Sequence, residues 1–159
     1  MAKKELKTNV MRVLDSKKLA YNHYTYDNST VNGVEVARLL GQDPDRVFKT
    51  LVTRGKSGGF FVFMVPVAEE LDLKKAAKSV GEKNVEMIHV KDINGITGYI
   101  RGGCTAIGMK KQYVTRIDES AKTQAQIYVS GGKIGSQIQL RPDDLARAAK
   151  AEFADIIRH

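Results

Sequence analysis

Lys49 sits in the run Val47-Phe-Lys-Thr-Leu-Val-Thr53. A strand there places Val47, Lys49 and Leu51 on one face and Phe48, Thr50 and Val52 on the other. Both faces are mainly apolar, so the strand is covered on both sides. An ammonium on such a strand either snorkels to the rim or points into a cavity that takes an anionic guest. Ser130-Gly131-Gly132-Lys133 follows a second apolar stretch. Consecutive glycines let a backbone approach a ligand closely, and Ser130 adds a hydroxyl, although the same residues also make an ordinary hairpin turn. Gly102-Gly103 carries the same two readings. Cys104, the single cysteine, comes next. Backbone N–H groups in a glycine-rich loop can lower a thiol's pKa, but a lone cysteine is more commonly buried and inert, and that is the expectation here.

Other familiar chemistries are struck out. His23, His89 and His159 are far apart and show no HExxH pairing, so with one cysteine no metal site is expected. Gly55-Lys56-Ser57 lacks the upstream glycine of a phosphate loop, where Thr50 stands, and Gly103 to Gly108 is followed by Met109 in place of lysine. No GxSxG elbow is present. Lys and Arg total 26 against 18 acidic residues, a net charge of +8 that favours polyanions, with RNA, DNA and anionic membrane surfaces all eligible. The basic residues are spread out, densest at Lys3-Lys4, Lys74-Lys75 and Lys110-Lys111, with no arginine-rich stretch. No apolar run approaches the ~18 residues of a membrane span. The N-terminus reads as no signal peptide, so a reducing, cytoplasmic address is expected.

The elements that must position these groups follow from periodicity and turn chemistry. Leu6, Val10, Val13 and Leu14 predict a helix ending near Leu19, and Tyr21 to Tyr26 a strand before the turn Asp27-Asn28-Ser29. A helix from Val34 to Leu40 closes at Gly41, and Asp43-Pro44 opens a compact helical turn. The Lys49 strand pairs with Phe60 to Val65 across Gly55 to Gly59. Asp72 caps a helix over Leu73 to Val80 that ends at Gly81, and Glu86 to Val90 reads as a strand. Gly95 to Gly108, with five glycines, is expected to be loop. Strands are predicted at Tyr113 to Ile117, Gln126 to Val129 and Ile138 to Leu140, and a last helix from Pro142 to about Ile157. At 159 residues this is one domain, α+β, around a mixed, mostly antiparallel sheet, possible as a closed barrel.

Four strings stand in a fixed order: Asp43-Pro-Asp-Arg-Val-Phe-Lys-Thr-Leu51, Leu71-Asp-Leu-Lys-Lys-Ala-Ala-Lys78, Gly98-Tyr-Ile-Arg-Gly-Gly103 with Gly108-Met-Lys-Lys111, and Ile127-Tyr-Val-Ser-Gly-Gly-Lys133. Together they resemble the YbaK/EbsC family of bacterial aminoacyl-tRNA deacylases over about Leu14 to Ile157. The resemblance implies a single α+β domain with a barrel-like sheet, related to the editing domain of prolyl-tRNA synthetases. It implies removal of cysteine from Cys-tRNA(Pro), with Cys-tRNA(Cys) as a further substrate, beside prolyl-tRNA synthetase. No cofactor, DNA or membrane partner is implied. The family's key lysine and threonine match Lys49 and Thr50, its strand tyrosine Tyr26, its pocket glycine Gly102 and its pocket serine Ser130; the expected catalytic residues are Lys49, Gly102 and Ser130, and the expected substrate contacts Tyr26, Asn32, Thr50, Gly103, Gly131 and Gly132. Asn32 and Gln137 depart from the family's aromatic and acidic residues. The family's chemistry is attack of the cysteine thiol on its own ester, which needs positioning rather than a protein nucleophile. Two other readings stay open: a deacylase that activates water against another mischarged tRNA such as Ala-tRNA(Pro), and a non-catalytic tRNA- or synthetase-binding module.

Overall fold

The structure, a computed structural model, describes residues 7–27 and 32–159. Helix α1 is Asn9–Ser16, its first turn closed by the Thr8 hydroxyl accepting from the Met11 N–H. Strand β1 (Asn22–Thr25) leads to α2 (Gly33–Leu39), which Asn32 caps by accepting from the Glu35 N–H. Asp43 and Pro44 open a single 3-10 turn, as their types require, and β2 (Phe48–Gly55) follows. Next come β3 (Phe60–Pro66), α3 (Leu73–Ser79) under an Asp72 cap, β4 (Val85–Met87) and α4 (Ile93–Thr97). The chain then forms β5 (Val114–Asp118), β6 (Ile127–Ser130), β7 (Ser136–Leu140), α5 (Pro142–Ala149) and β8 (Glu152–Ala154).

The strands make two sheets. One is three-stranded in the order β1-β7-β6, the other five-stranded in the order β4-β2-β3-β5-β8. Pairings β1–β7, β6–β7, β2–β3 and β2–β4 are antiparallel, whereas β3–β5 and β5–β8 are parallel, so the mixed, mostly antiparallel expectation holds. The closed barrel does not. Among the described residues the sheets meet at the isolated parallel bridge Val47↔Tyr128, and the ladder goes no further.

The five-stranded sheet is covered on both faces, as the two apolar faces of β2 require. Phe48, Val62 and Met64 pack with Val10, Leu14 and Leu145 in the larger core. Leu51, Phe63 and Val65 lie on the other face with Ala76, Ala77 and Ile156. The register Lys49↔Val65 puts Lys49 on this second face.

Three boundaries differ from expectation. The strand expected over Glu86 to Val90 stops at Met87, and Val90 begins a 3-10 turn. The expected loop after Gly95 overlaps the end of α4, which Gly98 terminates with φ 86°. The last helix ends eight residues early. Lys150 takes φ 52°, its N–H meets the Ala146 and Arg147 carbonyls, and the chain turns into β8 beside β5. Burial of Ile156 and Ile157 against α3 and β3 outweighs the helical period, which carries no glycine or proline stop. Leu6 and Asn28-Ser29 lie outside the described residues.

This return of the chain is held by Asp118, which is buried and accepts from the Ser120 N–H and the Ile156 N–H, both at 3.1 Å. Asp118→Ala leaves the Ile156 donor without its acceptor, and urea unfolding is expected to show a loss of about 1–3 kcal/mol.

Candidate substrate cavity

The cavity is a consequence of where β2 and β6 stop pairing. In an antiparallel ladder successive residues turn their N–H and C=O to alternate edges. The Gly55 N–H bonds the Gly59 carbonyl and the Val47 carbonyl accepts from Val67, so odd residues of β2 face β3. Even residues face the other edge, where the Val52 carbonyl accepts from the Ile88 N–H. On β6 the Gly131 N–H bonds the Ser136 carbonyl, so Ser130 turns its amide away from β7. The backbones of Thr50 and Ser130 are therefore directed toward the gap that opens between β2 and β6 beyond Val47↔Tyr128.

A cavity of about 510 Å³ fills this gap, a size that accommodates an aminoacyl-nucleoside. One wall is β2, with Lys49, Thr50 and Leu51; a second is α2, with Val34 and Val36. Met87, Val90 and Ile93 form an apolar third, and Gly102, Cys104 and Ser130 lie across from them. Of the residues expected at the site, Lys49, Gly102, Ser130, Tyr26, Asn32 and Thr50 share this lining. Gly103, Gly131 and Gly132 do not line it. They lie behind the wall, where two loops pack backbone to backbone. A Cβ on Gly103 would sit 2.8 Å from the Lys133 Cα and 3.0 Å from the Ile134 nitrogen, and one on Gly132 would meet Val10. One on Gly131 would sit against Ser136 across its own hairpin, so the space beside each of the three is already filled by the protein itself. Gly102 is different: it lines the cavity with φ 86°, in a turn closed by the Gly103 N–H donating to the Ile100 carbonyl.

Lys49 is half-buried, and its ammonium donates to the Val67 carbonyl at 3.4 Å. Burial holds its pKa below the ordinary lysine range, partly offset by Glu70 and Glu69. Burial likewise pushes the Cys104 thiol up to about 11, the neighbouring Thr97 hydroxyl acting the other way. Cys104 is thus a neutral wall residue at neutral pH, not an activated nucleophile. The described residues lining the cavity include no carboxylate and no imidazole. His23 is within 3.0 Å of the Ser136 hydroxyl and His159 pairs with Asp155, and no cluster among the described residues could hold a metal ion.

The two departures from the family pattern have structural roles. Asn32 accepts from the Glu35 N–H at 3.1 Å and so fixes the start of α2. Gln137, 3% exposed, exchanges two hydrogen bonds with Gln42, of 2.7 and 2.9 Å. Its amide is thereby engaged in joining β7 to the end of α2. Gln42 and Arg101, both absent from the expected set, belong to the site's frame and mouth; Arg101 lay within the string Gly98-Tyr-Ile-Arg-Gly-Gly103.

The family model for the aminoacyl-tRNA editing domain matches residues 28–148, and the chain belongs to this family. A protein of Enterococcus faecalis named "Putative Cys-tRNA(Pro)/Cys-tRNA(Cys) deacylase EbsC" is 46% identical over 98% of each chain. Among solved structures, hypothetical protein APE2540 superposes with a TM-score of 0.86 at 22% identity, covering 94% of this chain and 99% of that one. A structure described as "a putative trans-editing enzyme for prolyl tRNA synthetase" gives 0.80 at 23% identity, covering 98% and 100%. These two likenesses establish the shared α+β fold.

Gly103→Ala is expected to lower stability by about 1–3 kcal/mol, because the atoms its Cβ would meet are backbone and cannot step aside. Thermal unfolding of the variant, with Gly95→Ala as a control that meets nothing within 4 Å, checks this.

Proposed function

We propose that this protein removes cysteine from mischarged Cys-tRNA(Pro), and from Cys-tRNA(Cys), by presenting the ester to the substrate's own thiol. The observation that carries the reading is a cavity lined by one ammonium, Lys49, and two splayed backbone edges, with its thiol held protonated. Such a site binds and orients. In the reaction the cysteine sulfur attacks its carbonyl carbon, the carbon–oxygen bond to the ribose breaks, and the thiol proton passes to the ribose oxygen. The products are deacylated tRNA and a cysteine thiolactone that water later opens. Orientation of this kind is worth ~7–11 kcal/mol over loose encounter, enough to supply the rate without a protein nucleophile.

The roles follow from placement. The N–H groups of Gly102 and Ser130 orient the carbonyl and meet the charge that develops on its oxygen. Lys49 holds the terminal ribose or phosphate; Tyr26 and Thr50 close around the side chain. The 46% identity with the Enterococcus faecalis protein supports the choice of cysteine. Engagement of Gln137 by Gln42 disfavours water activation at that position. Recognition of the tRNA body is shared with prolyl-tRNA synthetase in a transient cytoplasmic complex. No described helix is long and apolar enough to cross a membrane.

A panel of aminoacyl-tRNAs tests this. Cys-tRNA(Pro) should be deacylated while Ala-tRNA(Pro) and Ser-tRNA stay largely intact; equal turnover of the alanyl ester excludes attack by the substrate thiol. Lys49→Ala should lower kcat/KM by about 100-fold or more with the fold intact by circular dichroism. Because burial lowers the Lys49 pKa, its charge is lost earlier as pH rises. The wild-type rate should therefore fall at a pH below the ordinary lysine range.

A further inference from the structure

Among the described residues five cations are held in ion pairs, Lys7 with Asp15, Arg38 with Glu35, Lys75 with Asp155, Arg116 with Glu152 and Arg158 with Glu70, while many others carry no side-chain partner, so position and not the lack of a partner singles out a pair. Lys110 donates to the Gly95 carbonyl. The side chains of Arg101 and Lys133 have neither a hydrogen bond nor an ion pair among the described residues. Both are exposed, and they stand on the two loops that pack through Gly103 against the Lys133 backbone, 2.8 Å from a Cβ built on Gly103. Arg101 also lines the cavity, next to Gly102. Two cations carried on touching loops can share one anion.

The position selects the anion. A nucleoside whose ester lies at Gly102 and Ser130 must leave the cavity through its 5′ phosphodiester. We propose that Arg101 and Lys133 form a clamp for the RNA backbone just upstream of the aminoacylated nucleoside. This rests on the tRNA-deacylase reading above. Guanidinium makes a bidentate contact with phosphate oxygens, and the lysine ammonium supplies a second point charge. A phosphate clamp carries no base information, so it serves any tRNA equally and leaves discrimination to the cavity. It acts on substrate capture rather than on the carbonyl.

The test uses Arg101→Ala, Lys133→Ala and the double variant of the full chain, each first checked for an unchanged melting temperature. Arg101→Lys serves as the conservative rescue. Binding of an uncharged acceptor-stem hairpin ending in CCA is measured against salt. Each single-strand phosphate contact contributes a slope of about 0.7, so the double variant should lose about 1.4. Between 50 and 200 mM salt the wild-type affinity should then fall about sevenfold more than that of the double variant. With Cys-tRNA(Pro) the variants should raise KM and leave kcat unchanged. With 3′-O-cysteinyl-adenosine, which has no phosphodiester, Lys133→Ala, which lies off the cavity lining, should match the wild type.

Superimposable salt slopes overturn the clamp, as does an equal loss by Lys133→Ala on both substrates. So does loss of binding to phosphatidylglycerol vesicles with RNA binding untouched, which assigns the pair to a membrane surface. If the wild type turns over no aminoacyl-tRNA but the slope still falls in the variants, the clamp stands and the deacylase reading fails.

Discussion

The molecule is organised by a ladder that stops. Val47 and Tyr128 join the two sheets at one bridge, and beyond it β2 and β6 separate. Backbone amides and carbonyls turned toward such a gap keep their need for partners, and they stay buried without penalty only where solvent or a polar guest meets them. The core enforces this geometry. Phe48 and Met64 on one face of the five-stranded sheet, and Leu51 and Val65 on the other, clamp β2 in place and prevent it from closing onto β6. The β2 wall of the cavity is therefore part of a packed sheet, and the main-chain groups it presents hold positions that do not depend on rotamers.

Its electrostatics follow from the same burial. Half-buried Lys49, the exposed Arg101 at the mouth and protonated Cys104 leave the cavity with two cationic groups and no anionic group among its described lining residues. Such an interior accepts the oxygen-rich end of a polyanion and offers no charged base to attack an ester. Arg101 and Lys133 extend this polarity past the mouth without adding reactive chemistry.

Local elements were readable in the sequence because local chemistry decides them: the Asp72 cap, the Asp43-Pro44 turn and the β2–β3 hairpin all stand where residue type put them. The alternation around Lys49 also predicted a strand covered on both faces. Non-local choices were not readable. The end of α5 at Lys150 depends on what Ile156 can bury against, and the open form of the sheets depends on a register between β2 and β6 that neither strand encodes alone. Six of the nine anticipated site residues share the cavity lining. Gly103, Gly131 and Gly132 have the composition of a ligand cradle but lie off that lining, and the space beside them is taken by the Lys133 backbone, Ser136 and Val10 respectively. Gln42 and Gln137 are 95 positions apart, and nothing in either neighbourhood announces their pairing.

That amide pair has a mechanical consequence. Helix α2 is fixed at its start by Asn32 and tied at its far end, through Gln42, to the sheet carrying Ser130. The pair thus couples helix α2, which lines the cavity through Val34 and Val36, to strand β7, the partner of the strand that carries Ser130. In the proposed reaction an alanyl or seryl group, no bulkier than cysteinyl, would enter the same space, so what spares it is the sulfur it lacks and not the shape of the walls.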